Sequence, residues 1–374
     1  MHYATLLLAA AAALPSVSGR TTLHTRNGKP VVETTTLANG QVIDWVMSDE
    51  VAPPTGIEDT LDQVTRPLNG PNGAVPYLRP SPAFASKVKT LPDQQEALSK
   101  RSVPLNHKYV FTKQAVSNHG GGASFSLYDP YLQDTNSDFS LIQLAVSNTN
   151  VYNSTNQNIQ QTLEAGWQKY PAFNPPEVHF FTFFNTNGYN GIGNGLAGYN
   201  QDVKGWVQLD PNVHPGYSGW TLSIDGNSSA QYDVDMRYSL VGDKWYLAIN
   251  GRNIGYYPAS LFQNGNIAQG SSTLQTTADH MAFYGEIYST NAYTTTDMGS
   301  GEFANQGYAK AAYMRNMVYV DTSDATQNYS PPSSNDIVTD SSAYTMEKHF
   351  NSGVQDWNSY MFVGGPGYGG NVGS

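Results

Sequence analysis

The sequence predicts an all-β protein built as an antiparallel β-sandwich. Segments rich in β-branched and aromatic residues recur along residues 102–374, and short turns containing Gly and Asn separate them. These residues show no amphipathic helix longer than three turns. With 374 residues, 39% hydrophobic and no cysteine, the chain can form a large core, and its fold must depend on packing and backbone pairing without disulfides.

Residues 1–19 have the features of a secretory signal peptide. An apolar run from Ala4 to Leu14 is followed by Pro15 and small residues up to Gly19. This run is too short for a membrane anchor, which needs about 20 apolar residues. No later segment is long and apolar enough to span a bilayer. We therefore expect a secreted, extracellular protein with no membrane partner.

Residues 20–101 differ in composition from the rest and predict a removable prosegment. They contain a Pro-rich stretch at residues 66–84 and end in the dibasic pair Lys100-Arg101, followed by Ser102. A dibasic pair in a polar stretch is a site for kexin-like processing enzymes, although such pairs also occur by chance on surfaces. The expected division is a signal peptide at 1–19, a prosegment at 20–101 and a catalytic domain at 102–374.

The strands of the sandwich follow from local composition. Alternation, continuous aromatic runs and β-branched content predict strands at residues 139–148, 158–168, 178–185, 232–240, 245–250 and 279–289. The turn at residues 241–244 joins two of them as a hairpin. Gly120-Gly121-Gly122 is interpreted as a loop because no helix follows it. The Gly-rich tail at residues 364–374 is expected to be disordered.

Charge and surface motifs limit the partners. The net charge of −11 disfavours nucleic acid and anionic membranes. Asn-x-Ser/Thr sequons at Asn153, Asn227 and Asn328 predict glycosylation of a secreted surface. We expect a monomer.

Elimination leaves carboxylates as the candidate catalytic groups. The sequence contains no His-Glu-x-x-His, no Gly-x-Ser-x-Gly and no Asp-Thr/Ser-Gly motif, so we expect neither a metal nor another cofactor. Glutamate is scarce after residue 101, and Glu164 and Glu286 are the two that fall inside predicted strands. Glu177 and Glu347 are interpreted as solvent-facing, and Glu302 lies in a Gly/Ser loop.

The strand pattern gives each candidate glutamate a set of neighbours. Glu164 shares its face with Gln168, and Glu286 shares its face with Tyr284 and Tyr288. Two buried glutamates facing one another could act as a base and an acid; alternatively, both point into solvent. The candidates for substrate contact are Trp167, Gln168, Tyr284 and Tyr288, although buried aromatic residues also serve as plain core.

Several short motifs resemble the neprosin family of glutamic peptidases. They include Leu-Glu-Ala-Gly-Trp-Gln at residues 163–168, Phe-Tyr-Gly-Glu-Ile at 283–287 and Thr-Asp-Met-Gly-Ser-Gly-Glu-Phe at 296–303. Gly-Tyr-Asn at 198–200, Gly-Trp-Val-Gln at 205–208 and residues 254–262 also occur in the family's order. Residues 39–46 are similar to the family's activation-peptide motif. The resemblance covers most of residues 102–321.

The resemblance implies a secreted zymogen, an antiparallel β-sandwich without a metal, and a catalytic pair that matches Glu164 and Glu286. One glutamate would be the general base and the other the acid, and the sequence does not say which. Family members favour cleavage after proline at acid pH, so the expected substrates are proteins or peptides, including proline-rich ones. The cysteines of plant members are replaced here by residues that include Gly198 and Val203. A glycoside hydrolase with two carboxylates and a non-catalytic carbohydrate-binding sandwich remain the alternatives.

Overall fold

The computed structural model describes residues 24–80, 106–172, 175–263 and 267–370. The predicted signal peptide and the predicted cleavage site at Lys100 and Arg101 lie outside these ranges. The described elements are, in chain order, β1 (Thr25–Arg26), β2 (Lys29–Thr36), β3 (Val42–Met47), helix α1 (Leu61–Val64), β4 (Ala74–Leu78), β5 (His107–Ser126), β6 (Phe139–Asn148), β7 (Gln161–Lys169), β8 (His179–Asn185), β9 (Ala197–Tyr199), β10 (Val207–Gln208), β11 (Asp233–Val241), β12 (Lys244–Ile249), β13 (Arg252–Pro258), β14 (Ala278–Tyr288), β15 (Ala312–Asp321), β16 (Thr326–Asn328), β17 (Ile337–Val338), β18 (Thr345–His349) and β19 (Tyr360–Gly364), with short 3₁₀ helices at Ala259–Gln263, Ala304–Gln306 and Ser333–Asn335.

Strand β5 belongs to two sheets and joins them into a sandwich. Its first half pairs with β14, and β6, β7, β8 and β9 follow in that order to form the first sheet. Its second half pairs with β11 and β15; β12, β13 and β10 continue from β11, while β19 and β18 continue from β15. All of these pairings are antiparallel, so the predicted fold class is confirmed.

The main core lies between the two sheets. The first sheet contributes Leu163, Trp167 and Phe180 to it, and the second sheet contributes Met236 and Trp245, all essentially inaccessible to solvent. Because side chains alternate along a strand, the residues between these core positions point to the opposite face of the first sheet. That face carries Glu164 and Glu286.

The loop predicted at Gly120-Gly121-Gly122 is wrong, because these residues lie inside β5. A Cβ atom would lie 2.1 Å from the Tyr238 carbonyl oxygen at Gly120 and 2.4 Å from the Val318 carbonyl oxygen at Gly121. Glycine is therefore required here because β11 and β15 approach β5 closely, and not because the chain turns.

The C-terminal residues are ordered further than the sequence predicts. The amide of Met298 donates to the Gly365 carbonyl at 3.0 Å, and the amide of Tyr368 donates to the Thr294 carbonyl at 2.8 Å. The expected disorder of residues 364–374 therefore does not hold for residues 364–370, and residues 371–374 lie outside the described part.

A second, small sheet precedes the sandwich in the chain. Strands β1 to β4 form it in sequential antiparallel order, and we call it the small sheet. Hydrogen bonds connect residues 24–80 to the sandwich at the segment of residues 201–218, which includes β10. Gln41 donates to the Gly216 carbonyl at 2.9 Å, and the Leu78 amide donates to Gln201 at 2.7 Å.

Strands β12 and β13 and the turn between them receive further contacts from residues 24–80. Arg252 of β13 donates to Asp59 at 2.7 Å and to both oxygens of Asp62 at 2.9 Å. At Gly251, where φ is +81°, a Cβ atom would lie 2.1 Å from the Glu58 carbonyl oxygen, so glycine allows this close approach. Within the described ranges, no helix is long and apolar enough to cross a membrane.

Candidate active site

Strand β6 lies between the strands that carry the two glutamates. Its register places Glu164 of β7 beside Ala145 and Glu286 of β14 beside Leu141. Strands are about 4.8 Å apart, so β7 and β14 are separated by about 10 Å across the sheet. Gln143, midway between Leu141 and Ala145, points to the same face. Both glutamates are fully buried.

Neutral hydrogen-bond donors surround Glu164. Tyr189 lies 2.6 Å from Oε1, while Gln143 donates to Oε2 at 2.7 Å and Tyr284 donates to Oε2 at 3.1 Å. Thr162 lies 3.0 Å from the Tyr189 hydroxyl, and either of these hydroxyls can be the donor. The carboxyl group is therefore held in one orientation by side chains from β6, β14 and the loop after β8.

Two tyrosines connect the surroundings of Glu164 to those of Glu286. Tyr284, which contacts Glu164, precedes Glu286 by two residues on the same face of β14. The pKa of Tyr199 is raised well above its ordinary value of 10, first by burial and then by the charges of Glu286 and Glu164. Both carboxylates therefore lie within electrostatic range of the same hydroxyl.

Glu286 has a histidine partner. The Nδ1 atom of His107 lies 2.7 Å from Oε1 of Glu286, within hydrogen-bond distance, and the imidazole side chain is only 12% exposed. In the register of β5 and β14, His107 lies opposite Tyr288 and Tyr109 lies opposite Glu286. The pair is therefore a buried ionisable contact at the edge of the shared face.

Gln168, predicted to contact substrate, lies in the same cross-strand row as Glu286, with Leu141 between them. Its Nε2 donates to Nε2 of His179 at 3.0 Å, and Nδ1 of His179 donates to the Glu177 carbonyl at 2.7 Å. Burial lowers the pKa of His179 to about 4, so this imidazole is neutral and able to accept above about pH 5.

The other residues predicted to contact substrate lie on two different faces of the first sheet. Tyr284 and Tyr288 lie on the face of the two glutamates, and Tyr288 stacks on Phe139 with ring centroids 5.7 Å apart. Trp167 does not join them, because alternation along β7 turns its ring into the main core, where Nε1 donates to the Ser126 carbonyl at 2.8 Å. The prediction that Trp167 contacts substrate is therefore corrected.

The other glutamates considered from the sequence lie away from this face. Glu302 is buried and accepts from Lys310 at 3.1 Å, and Glu347 is exposed and lies 3.0 Å from His349. The predicted glycosylation sites Asn227 and Asn328 are exposed, and Asn153 is half-buried. Glycosylation at the three sites stays a prediction.

Sequence reasoning missed three residues of the site. Gln143 could have been found from the sequence, since it is a polar residue inside an apolar strand. No sequence feature pointed to Tyr189 or His107. Tyr189 comes from a loop and has a φ of 62°, an unusual value for a bulky residue, fixed by its amide donating to Asn185 at 2.8 Å. The contact of His107 depends on the pairing of β5 with β14.

Chemically, the arrangement can support general acid–base catalysis. It combines two buried carboxyl groups with tyrosine hydroxyls, an amide and an imidazole that can donate or accept protons. In the described part of the chain, no group of three or more His, Asp or Glu residues is placed to hold a metal ion.

Comparison with known proteins agrees with this chemistry. A family model described as Neprosin matches residues 136–366, more than half of the 374-residue chain. A structure of Scytalido-glutamic peptidase with a peptide-based transition-state analogue aligns at 6% identity over 69% of this chain and 98% of that chain, with a TM-score of 0.33. SCP-B, a member of the Eqolisin family of peptidases in complex with the tripeptide Ala-Ile-His, aligns at 7% identity over 69% and 98%, with a TM-score of 0.29. Both TM-scores are below 0.5, so the family assignment depends on the family model.

Proposed function

This chain belongs to the neprosin family of glutamic peptidases, and we propose that it is a secreted, acid-active endopeptidase whose catalytic pair is Glu164 and Glu286. The observation that carries the proposal is the placement of two fully buried glutamates on one face of the first sheet, with Gln143 and Tyr284 between them. As a member of a peptidase family, the chain is a hydrolase of peptide bonds, so the glycoside hydrolase and the carbohydrate-binding module are not kept as alternatives.

The hydrogen-bond partners of Glu164 favour its role as the general acid. When protonated, its Oε1 can donate to the Tyr189 hydroxyl 2.6 Å away, which in turn can donate to Thr162 at 3.0 Å. Its Oε2 still accepts from Gln143 and Tyr284. A neutral Glu164 therefore leaves no partner unsatisfied, which is what a buried carboxylic acid requires.

Glu286 then takes the role of base. Its carboxylate removes a proton from water, and the resulting hydroxide forms a bond to the carbonyl carbon of the substrate. The carbonyl oxygen gains the negative charge and is stabilised by the proton of Glu164, which in the substrate complex is directed to this oxygen instead of to Tyr189. When the C–N bond breaks, a carboxyl proton passes to the leaving amine, and the products are a carboxylic acid and an amine.

We further propose that residues 20–101 keep the enzyme latent until the chain is cut after Arg101. Both glutamates are fully buried in the uncut chain, so a peptide can reach them only after covering side chains move. The contacts of residues 24–80 include ion pairs of Asp59 and Asp62 with Arg252, which acid weakens because it protonates carboxylates.

A preference for cleavage after proline is part of the proposal. The rings of Phe183 and Tyr199 lie on the glutamate face with centroids 4.7 Å apart, and such apolar rings can pack against the pyrrolidine ring of a substrate. Substrates would be proteins or peptides, including proline-rich ones, and the enzyme would act as a monomer.

The test is to express the full chain with its leader, acidify the secreted product and digest a defined peptide library at pH 3–5, near carboxyl pKa values. We expect latency at pH 7, a new N-terminus near Ser102 after acidification, cleavage after proline, and no effect of EDTA. Full activity in a chain that begins near Arg20 would refute latency alone. An acid-treated, correctly cut protein without peptidase activity would refute the proposed catalysis.

A further inference from the structure

We propose that His107 is a positioning residue that keeps Glu286 ionised at acid pH. The inference rests on the proposed function, because it concerns how one of the two glutamates remains a base where the enzyme would work. His107 itself need not touch substrate. Since it follows the predicted cleavage site after Arg101, it remains in the mature chain.

The ring of His107 is held firmly beside Glu286. Its centroid lies 4.8 Å from that of Tyr288, 5.9 Å from that of Phe139 and 6.1 Å from that of Tyr109, on which it stacks. These three rings come from β14, β6 and β5. The 2.7 Å contact with Glu286 is therefore fixed by packing from three strands and not by the hydrogen bond alone.

Other titratable groups face the same side of the sheet, and their placement decides whether they can replace His107. They are Tyr109 and Lys113 on β5, Glu164 on β7, His179 on β8, Tyr199 on β9, His280, Tyr284 and Tyr288 on β14, and Tyr170 and Tyr189 in the segments after β7 and β8. Lys113 lies opposite Ala282, four residues from Glu286 along β14, and His280 is six residues away. Burial lowers the pKa of His179 to about 4 and raises those of Tyr199 and Tyr284 well above 10, so the two tyrosines stay neutral at acid pH and His179 stays neutral above about pH 5.

Among these groups, His107 is the one that can place a positive charge in direct contact with Glu286. Histidine side chains ordinarily gain a proton below about pH 6.5. A cation within hydrogen-bond distance favours the ionised form of a carboxyl group. A protonated imidazole 2.7 Å from the Glu286 carboxyl group therefore favours its ionised form. Glu164, whose oxygens are met by an amide and hydroxyls, has the contrasting surroundings of an acid.

The experiment compares His107→Gln and His107→Phe with a matched control, His119→Gln. His119 lies on the same strand, and its Nδ1 contacts Asp324 at 2.8 Å away from the glutamate face. Each full-length variant is activated by acid, and kcat and KM on one peptide are measured from pH 2.5 to 7. We expect both His107 variants to shift the acidic limb of the pH profile of kcat/KM to higher pH by about 1 unit. This is the lower end of the pKa change that a nearby opposite charge causes. KM should change less than twofold, and His119→Gln should keep the wild-type profile.

An unchanged acid limb with a uniform fall in kcat would overturn the inference, because it would mean that His107 only supports the fold. If His107→Phe does not fold, as judged by near-UV circular dichroism, His107→Gln still decides the question. Glu286→Gln separates the two levels of the argument. An inactive Glu286→Gln enzyme together with unshifted His107 variants refutes this inference alone, whereas an active Glu286→Gln enzyme refutes the proposed function.

Discussion

Replacing Asp44 by asparagine should destabilise the small sheet and increase the population of molecules in which it is open. The buried carboxylate of Asp44 accepts from Arg79 at 2.7 and 3.0 Å, from Thr34 at 2.8 Å, from His24 at 3.0 Å and from Arg26 at 3.1 Å. It therefore connects three of the four strands with the segment that follows β4. Asparagine keeps the shape but removes the charge that attracts these donors.

The expected cost is about 3 kcal/mol in the free energy of opening the small sheet. Removing one partner of a buried ion pair costs about 3–5 kcal/mol when the other charge stays buried. Here Arg79 and His24 are 43% and 56% exposed, so water can solvate them again and the lower end applies. A loss of about 3 kcal/mol raises the open population by about 100-fold.

The effect should depend on pH in a defined direction. Burial raises the pKa of Asp44, but hydrogen bonds from Arg79, Thr34, Arg26 and His24 outweigh it and hold the pKa well below the ordinary 3.8. A carboxyl group whose pKa is lowered in the folded state contributes its full stabilisation at pH values above its pKa in the unfolded state. This stabilisation is lost as pH falls toward the lowered pKa of the folded state. The wild-type sheet should therefore weaken below about pH 4, and the Asp44→Asn sheet should already be weak at pH 7.

Hydrogen exchange of the amides in β2, β3 and β4, corrected for intrinsic rates, measures the opening from pH 7 to pH 2.5. Asp49→Asn is the matched control, because Asp49 is an exposed aspartate of the same segment. We expect about 100-fold lower protection in Asp44→Asn at pH 7 and unchanged protection in Asp49→Asn. Equal protection in Asp44→Asn and the wild type at pH 7, with the same acid transition, would refute the reasoning.

Two further predictions concern Arg252 and Tyr189. Arg252→Gln removes the ion pairs with the partly exposed Asp59 and Asp62, worth about 1–2 kcal/mol together, and a third ion pair with the buried Asp210. Conversion of the full chain at pH 5 should therefore be several times faster than in Arg237→Gln, whose ion pair lies within β11. Because Arg252 lowers the pKa of Asp59 and Asp62, the difference should shrink as pH falls through these lowered values, and equal rates at pH 5 would count against it. Tyr189→Phe removes the hydroxyl 2.6 Å from Glu164, so kcat should fall by about 10-fold with KM little changed, and an unchanged kcat would show that this contact is dispensable.

Alternation along single strands allowed much of the site to be predicted. It placed Glu164 with Gln168, and Glu286 with Tyr284 and Tyr288, and the register of β6, β7 and β14 confirms both groupings. These two groupings were predicted correctly because side-chain direction in a strand is a local property. The same rule points Trp167 into the main core, so it does not share the face of the two glutamates.

Contacts that depend on how strands meet could not be predicted in this way. Gly120-Gly121-Gly122 looks like a loop in the sequence, and only the close approach of β11 and β15 explains it as strand. Similarly, His107 and Glu286 are separated by 179 positions and meet through the pairing of β5 with β14. The left-handed backbone of Tyr189 is set by loop contacts that no local pattern encodes.

The most direct test of the central claim is the activity of Glu164→Gln and Glu286→Gln after acid activation, with Glu302→Gln as the control. Glu302 is also a buried glutamate, but it pairs with Lys310. Each of the first two variants should lose at least about 100-fold in kcat/KM at pH 4, the scale of general acid–base catalysis, with an unchanged unfolding temperature. Glu302→Gln should remain active. Near-wild-type activity of either Glu164→Gln or Glu286→Gln, or loss of activity only in Glu302→Gln, would contradict the account.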